Sequence, residues 1–276
     1  KMNRPHIPEL VKTDLRERLM RYEHNRVSFQ WRSTPVSRRD LVRWVQSSPG
    51  PRLLILNTVQ SAAVIANDLC TAYGRECVEH LSTALTPEDR KWVIQRVTNR
   101  LNDTSDTNWT LVATSCVEAG VDFSFRTGFR ELSSLLSLLQ AAGRVNRHGA
   151  IQNAEMWSFS LQEDSMLKSN PALEDARNVL KGYLEKGINI TPELSTQSMN
   201  DEIVRNDSCL SEIQQLMSIE AEMQFKEVES RFNIIDSDTV CAVVDEALAK
   251  SITYGKGDWR ALQRKAISVR RYNIQR

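Results

Sequence analysis

No apolar run in this 276-residue sequence approaches the roughly 20 residues needed to cross a bilayer, and its opening KMNRPHIPEL lacks the apolar stretch of a secretory leader. A cytoplasmic protein without membrane contact is the expectation. Cysteine is sparse: Cys70, Cys77, Cys116, Cys209 and Cys241 are odd in number and scattered, with no CxxC pair and no histidine at metal-ligand spacing. That pattern speaks against a disulfide scaffold or a zinc site and leaves reduced thiols that pack as small apolar groups. Internal repeats, glycine-rich linkers and low-complexity segments are absent as well.

A strong net charge is also lacking, the total being +1, but the distribution is uneven. Residues 1–45 carry +6, residues 46–249 carry −12 and residues 250–276 carry +7. Basic ends suit contact with nucleic acid or a partner, and they equally suit an ordinary solvated face. Hydrophobic residues make up 41% of the chain, which at this length supports one large domain or two smaller ones.

From Arg52 to about Leu161 strand-like and helix-like segments alternate, the sequence form of a parallel sheet with covering helices. RLLILN (52–57) is the short continuous apolar run of a strand buried on both faces. In the segment after it Val59, Ala62, Ala63, Ala66 and Leu69 recur at helical spacing, and Gly74 supplies a stop. ECVEHL (76–81) predicts the next strand. Thr86 as N-cap and Pro87 at the first helical position open a helix through KWVIQRVTNRL. WTLVAT (109–114) predicts a buried strand, LSSLLSLLQAA (132–142) a helix and AEMWSFSL (154–161) a closing strand. Trp109 and Trp157 border these strands as packing residues.

Before this core, two helices are predicted, in PELVKTDLRERLMRYE and in SRRDLVRWVQSS, the second capped by Ser37 with Asp40. After it, a helix opens at Asn170 and Pro171 and continues to about Lys186, and a long one spans roughly Leu210 to Phe232. IIDSDTVCAVVDE predicts two short strands, and DWRALQRKAISVRRYNI a helix followed by a strand.

The chemistry concentrates in two strings. In QAAGRVNRHG, Gln140, Gly143, Arg144 and Arg147 form a QxxGRxxR pattern. On a continuing helix the two arginines would share one face with Gln140 a turn before, so that two guanidiniums could embrace one phosphate. Arginine suits this task because it is permanently charged and offers a rigid fork of donors where transition-state charge builds. Gly143 would admit another backbone or a nucleotide closely. A basic helix end paired with surface acids is the bland alternative. About twenty residues earlier, VATSCVEAGVDFSF runs from a strand into a loop bearing Thr114, Ser115, Glu118, Gly120 and Asp122. Ligands of open parallel sheets bind at the carboxyl ends of strands. Hydroxyls and amides of such a loop can contact a phosphodiester backbone, and Asp122 can accept a hydrogen bond from a ribose or an arginine.

LLILNTVQSA, HLSTALTPEDR, VATSCVEAGVDF and QAAGRVNRHG follow the order of the later motifs of superfamily 2 helicases, and over about residues 50–150 the chain resembles the second RecA-like domain of that superfamily. NTVQSA and GRVNRHG look most like the CRISPR-associated helicase-nuclease family of type I systems. RFNIIDSDTVCAVV and LQRKAISVRRYNI are similar to that family's segment after the motor.

The resemblance implies an α/β fold: a RecA-like doubly wound parallel sheet followed by a smaller α+β C-terminal region. It implies a helical lead-in over 1–50, the RecA-like domain over 51–165, a helical linker over 166–205 and an accessory region over 206–276. It implies Arg144 and Arg147 as arginine fingers reaching a γ-phosphate, with Gln140 and Gly143 beside them. Gly120 and Asp122 would couple the nucleotide pocket to the strand-binding loop. Asn57 and Thr58, His80 and Ser82, and Thr114 and Ser115 would lie along a single strand of nucleic acid, DNA by the family resemblance while the residues themselves leave RNA open, and touch its backbone. The chain departs from the family where an acidic residue often follows the GVD turn and here FSFRTGFRE stands. Arg126 and Arg130 there can contact DNA or pair with local acids.

Absent motifs bound the mechanism. The sequence has no GxxxxGK[ST] phosphate loop, no DEAD-like string after an apolar strand and no HD pair among His6, His24, His80 and His148. ATP and Mg2+ are therefore expected to be held mainly by a first RecA-like domain, in cis or in trans, and a CRISPR surveillance complex is a further implied partner. A chain that begins Lys1, Met2 suits an excised segment. The competing expectation is a non-catalytic RecA-like module that docks DNA or a protein complex.

Overall fold

The computed structural model describes residues 11–205, 207–231, 239–255 and 257–271. The chain enters through α1 (Thr13–Arg26), β1 (Ser28–Val36) and α2 (Arg38–Ser47). It continues through β2 (Arg52–Ile55), α3 (Val59–Tyr73), β3 (Val78–Leu81), α4 (Pro87–Asn102) and β4 (Thr110–Ala113). A loop then leads to β5 (Thr127–Glu131), α5 (Leu135–Ala142) and β6 (Glu155–Leu161). Helix starts lie where capping chemistry puts them. Ser37 accepts from the Asp40 amide and Thr86 from the Asp89 amide, each at 3.1 Å, and Pro87 occupies a first-turn position where no amide donor is missed.

These six strands form one parallel sheet in the order β1-β6-β5-β2-β4-β3. Period-two alternation decides how it is covered. Leu53 and Ile55 of β2 face a core shared with Val97 of α4 and with Leu135 and Leu138 of α5. Leu54 and Leu56 face a second core with Leu41 and Val45 of α2 and with Ile65 and Leu69 of α3. The three leucine and isoleucine side chains of this strand and Leu56 just after it are fully buried, each contributing about 1.5–3 kcal/mol through removal from water. A strand apolar on both faces is the mark of a doubly wound α/β layer. From β2 the chain moves outward to β3, returns to β4, then crosses to β5 on the other side of β2. This reversal opens a crevice above the carboxyl ends of the central strands.

Two strands depart from the sequence expectation. Residues 28–36, expected within a helical lead-in, form β1, which pairs in parallel with β6 at the sheet edge. Its sequence SFQWRSTPV is polar because an edge strand is half exposed, and Pro35 is tolerated there since one ladder side has no partner. TGFRE, for which no strand was expected, forms the fully buried β5 between β2 and β6.

Beyond β6, a single 3-10 turn over Pro171–Leu173 precedes α6 (Glu174–Glu185), followed by α7 (Ser195–Arg205). The long helix expected to about residue 232 is interrupted: α8 (Asp207–Ala221) and α9 (Phe225–Arg231) are separated at Met223, whose φ of 60° cannot continue a helix. The last elements are β7 (Thr239–Val243), α10 (Glu246–Thr253), α11 (Trp259–Arg264) and β8 (Ala266–Arg270), with β7 and β8 antiparallel in a separate two-stranded sheet. The helix and strand expected in DWRALQRKAISVRRYNI thus form, whereas α10 was not anticipated. The first of the two short strands expected around IIDSDTVCAVVDE, the beginning of the first predicted helix (residues 8–10) and the basic stretches 1–10 and 272–276 lie outside the described residues. No helix among the described residues is long and apolar enough to cross a membrane, and no group of three or more potential metal-binding side chains occurs among them.

Candidate functional site

Parallel strands bring their carboxyl ends to one edge, and the sequence-predicted strand contacts gather there. Asn57 follows β2, and all its polar groups are engaged inside the chain. Its amide donates to Glu131 Oε2 at 2.7 Å, its Nδ2 to the Leu132 carbonyl at 2.9 Å, and its Oδ1 accepts from Arg130 Nη1 at 2.6 Å. Thr58 caps α3, accepting from the Ser61 amide at 3.1 Å. After β3, His80 Nε2 lies 3.1 Å from Ser82 Oγ, and burial holds the imidazole below the ordinary histidine range. Ser82 has no exposed surface, so the expected backbone contact is corrected: its hydroxyl orients His80 instead of meeting a ligand. After β4, Thr114 is buried with its hydroxyl against Cys116 Sγ at 3.4 Å, while Ser115 is exposed. Asn57, Thr58, His80 and Ser115 are thus the members of this set that reach the surface.

Beneath them lies a buried polar network that sequence reasoning missed. Arg130 of β5 and Glu118 of the loop after β4 are buried together, with Nε and Oε1 2.9 Å apart. Arg130 Nη1 also donates to the Glu131 carbonyl at 3.0 Å, and Ser137 Oγ of α5 donates to Glu118 Oε2 at 3.0 Å. Burial pushes the carboxyls of Glu118 and Glu131 up and the Arg130 guanidinium down, while their mutual attraction opposes each shift. Of the two fates open to Arg130, pairing with local acids is the one observed. The signal in the sequence was a charged pair, Arg130-Glu131, one residue after an aromatic.

The loop carrying Glu118 turns at Gly120, whose φ of 77° suits glycine, and passes Asp122. The same loop receives both candidate fingers. Arg144 points its guanidinium at backbone carbonyls: Nη2 donates to Glu118 O at 2.8 Å, Nε to the same oxygen at 3.3 Å, and Nη1 to Val121 O. Arg147 Nε lies 2.6 Å from Asp122 Oδ1, and both side chains are exposed, at 40% and 74%. The two arginines do not share a helix face. α5 ends at Ala142 with Gly143 as its cap, and the two residues lie in the turns that follow. The helix has ended before them: the Arg144 and Val145 amides bond three residues back to Ala141 and Ala142, and Val145 then bridges Phe125. Gln140, on the last turn of α5, is exposed. Gly143 keeps helical φ and ψ, and a Cβ there would meet the Gln140 carbonyl at 3.1 Å, so its smallness serves the helix end itself.

Asn146 is a second residue the motif reading passed over. It is buried, its Nδ2 donates to Ile151 O at 2.7 Å and to Arg26 O at 2.8 Å, and its Oδ1 accepts from the Ile151 amide at 2.9 Å. An asparagine tolerates left-handed φ and satisfies backbone groups locally, which explains this residue type in GRVNRHG. Trp109 and Trp157 are packing residues, Trp109 fully buried with its indole donating to Asp106 O at 3.0 Å, and Trp157 edge-on to Trp44 at 5.2 Å.

The arrangement can do two things chemically. It presents one partly exposed guanidinium, Arg147, whose present partner is a solvent-screened carboxylate that an anion could replace. It also ties the loop after β4 to the arginine loop on one side and, through Arg130, to Asn57 on the other.

Residues 49–150 match the sequence model of the family described as CRISPR-associated nuclease/helicase Cas3, C-terminal. A stretch of 70 residues, 25% of this chain, is 39% identical to the CRISPR-associated nuclease/helicase Cas3 of Haloferax volcanii, of which it covers 7%. Among solved structures, the crystal structure of T. fusca Cas3-ATP is similar with a TM-score of 0.60 at 16% identity, over 88% of this chain and 36% of that one. A chain of a CRISPR RNA-guided surveillance complex, pre-nicking, is similar with a TM-score of 0.55 at 15% identity, over 88% of this chain and 37% of that one. These likenesses show the fold, a RecA-like parallel α/β layer with a small antiparallel sheet and helices after it. The chain spans little more than a third of the solved structures it resembles.

Proposed function

We propose that this chain is the second RecA-like half of an ATP-driven helicase of the CRISPR-associated helicase-nuclease kind, acting on single-stranded DNA. In this reading a first RecA-like domain, in the same polypeptide or a partner, holds Mg-ATP. Arg147 exchanges Asp122 for the γ-phosphate when the cleft closes, and Arg144 holds the loop that presents it. Gln140 lies one turn away, where it can help to place the phosphate or the attacking water. Thr58, His80 and Ser115 lie along the strand path, and grip of a phosphodiester backbone makes binding salt-dependent and tolerant of sequence. The helical lead-in, RecA-like layer, linker and accessory region remain the domain plan, with the layer starting at β1 instead of residue 51. A surveillance complex is the partner implied by the related proteins.

The observation that carries this reading is the double attachment of the loop after β4. Its Glu118 and Val121 carbonyls bind Arg144, while the Glu118 side chain reaches Arg130 and so Asn57. A loop fixed to both sites is suited to relay strand occupancy to the nucleotide, in either direction.

The chain alone is expected to hydrolyse ATP negligibly, since the phosphate loop lies elsewhere. Joined to its Walker-bearing half, it should turn over ATP with stimulation by single-stranded DNA, and Arg147→Ala should abolish turnover. Robust turnover by the isolated chain would sink the half-site reading. One observation favours a docking module instead: Arg144 and Arg147 both have partners within the chain, so their presence has a structural explanation. Unchanged turnover in the Arg147→Ala protein would favour that alternative.

A further inference from the structure

α1 is exposed along nearly its whole length, with Leu15, Leu19 and Tyr22 at 46%, 52% and 50%. Packing therefore does little to fix it. Its C-terminal end, by contrast, is fastened: Val27 and Ser28 carry the chain into the core and β1, and Arg26 ties the helix end to the loop carrying Arg144 and Arg147.

Arg26, the last residue of α1, is the fastening. Its side chain is 9% exposed, and Nη1 donates to the Ala142 carbonyl at 3.3 Å and to the Val145 carbonyl. The Ala142 carbonyl, which also accepts from the Val145 amide at 3.0 Å, closes α5, and the Val145 carbonyl lies in the turn that follows, so the guanidinium sits at the negative end of the helix dipole, where a cation is favoured. Nε is held at 3.0 Å by Glu23, which fixes the direction of the guanidinium. The bond is returned: Asn146 Nδ2 donates to the Arg26 carbonyl at 2.8 Å. Contacts in both directions across some 120 residues of sequence thus join α1 to residues on either side of Arg144. One turn earlier Tyr22 lies against Gly149, where a Cβ would come within 1.9 Å of the phenol oxygen. The φ of 65° is what favours glycine there, and the contact with Tyr22 brings α1 over the far end of the same loop.

We infer that Arg26 is a positioning residue for the arginine loop and that α1 acts as a lever whose placement sets where Arg144 and Arg147 stand. The Arg26 guanidinium holds the carbonyls that bracket Arg144. Displacement of α1 by a neighbouring domain would pull on Val145 and Asn146 through Arg26, while β1 is held in place by its ladder with β6. The inference rests on the motor reading for its consequence in catalysis, but the clasp itself stands on geometry alone.

The test has two arms. In this chain, amide hydrogen exchange compares wild type with Arg26→Gln and with Asn146→Gly, the latter allowed by the left-handed φ. Exchange across residues 143–151 should quicken about tenfold, the equivalent of one net hydrogen bond lost, while amides of β2 and β4 keep their rates. In the full-length protein, Arg26→Gln should lower kcat for ATP about tenfold with KM nearly unchanged, and Arg26→Lys should recover part, since an ammonium still reaches one carbonyl. Unaltered exchange would overturn the clasp. Quickened exchange with kcat intact, or with KM moved as far as kcat, would overturn the positioning role. A full-length wild type without turnover would overturn the motor reading and the role of Arg26 in it, whereas the exchange arm still decides whether α1 holds the loop.

Discussion

Arg130 and Glu118 face each other across 2.9 Å in a part of the molecule sealed from water, at 2% and 5% exposure. They come from different elements, β5 and the loop after β4, and neither has solvent to fall back on. Removing the cation leaves the acids uncompensated. Arg130→Met is therefore expected to destabilise the chain by about 3–5 kcal/mol, and adding Glu118→Gln to it should restore part of that loss. Urea unfolding of the single and double variants measures both, and a single variant within error of wild type would contradict the burial described for the pair.

Arg144 and Arg147 should separate on stability while agreeing on catalysis. Arg147 shares a solvent-screened ion pair with Asp122, so Arg147→Ala should shift unfolding by less than about 1 kcal/mol. Arg144 satisfies carbonyls of a turning loop, so Arg144→Ala should cost about 1–3 kcal/mol. In the reconstituted motor, loss of the Arg147 guanidinium should lower kcat by about a thousandfold or more, as expected for a finger that meets transition-state charge. Thermal unfolding of this chain and single-turnover kinetics of the full protein read the two effects independently.

His80 gives a pH signature. Burial lowers its folded value below the 6.5 of an exposed histidine. A group depressed in this way contributes stability that is present above the unfolded value and is lost as pH falls through the folded one. Wild type should therefore lose more stability than His80→Gln between about pH 7 and pH 5. Parallel melting curves for the two proteins across that window would contradict it. The neutral imidazole at pH 7 also means that any contact of His80 with a strand is a hydrogen bond and not a charge pair.

Gly149 combines φ 65° with the close approach of Tyr22. Gly149→Ala should destabilise by about 1 kcal/mol or more from backbone strain alone, with a steric part added. Tyr22→Ala in the same protein should relieve the steric part and leave the backbone part. A double variant no more stable than Gly149→Ala would show that the phenol yields without cost.

Much of the sheet was legible because β2 and β4 are apolar on both faces and their helices carry Thr58 and Thr86 as caps. β5 was not, because TGFRE reads as a polar turn until Glu118 and Asn57 are known to satisfy its charges. β1 was not, because an edge strand with one partner has no need of apolar alternation. At the candidate site, the residue types of QxxGRxxR drew attention to the loop after α5, yet spacing misled on geometry. Three residues place two arginines on one face only if the helix continues, and it ends at Ala142, before either arginine. Arg26 had no local signal at all, since its partners are distant in sequence.

The pairing of β1 with β6 also sets where this chain can be cut. Residues 49–150 lack both strands, so a protein trimmed to them would leave β5 as a naked edge, open its charge cluster to water and uncover the face that α2 closes. α6 and Ile190 complete the opposite core. The smallest unit expected to express as a soluble, cooperatively unfolding species is accordingly 28–190, with the 49–150 fragment expected in the insoluble fraction of the same preparation.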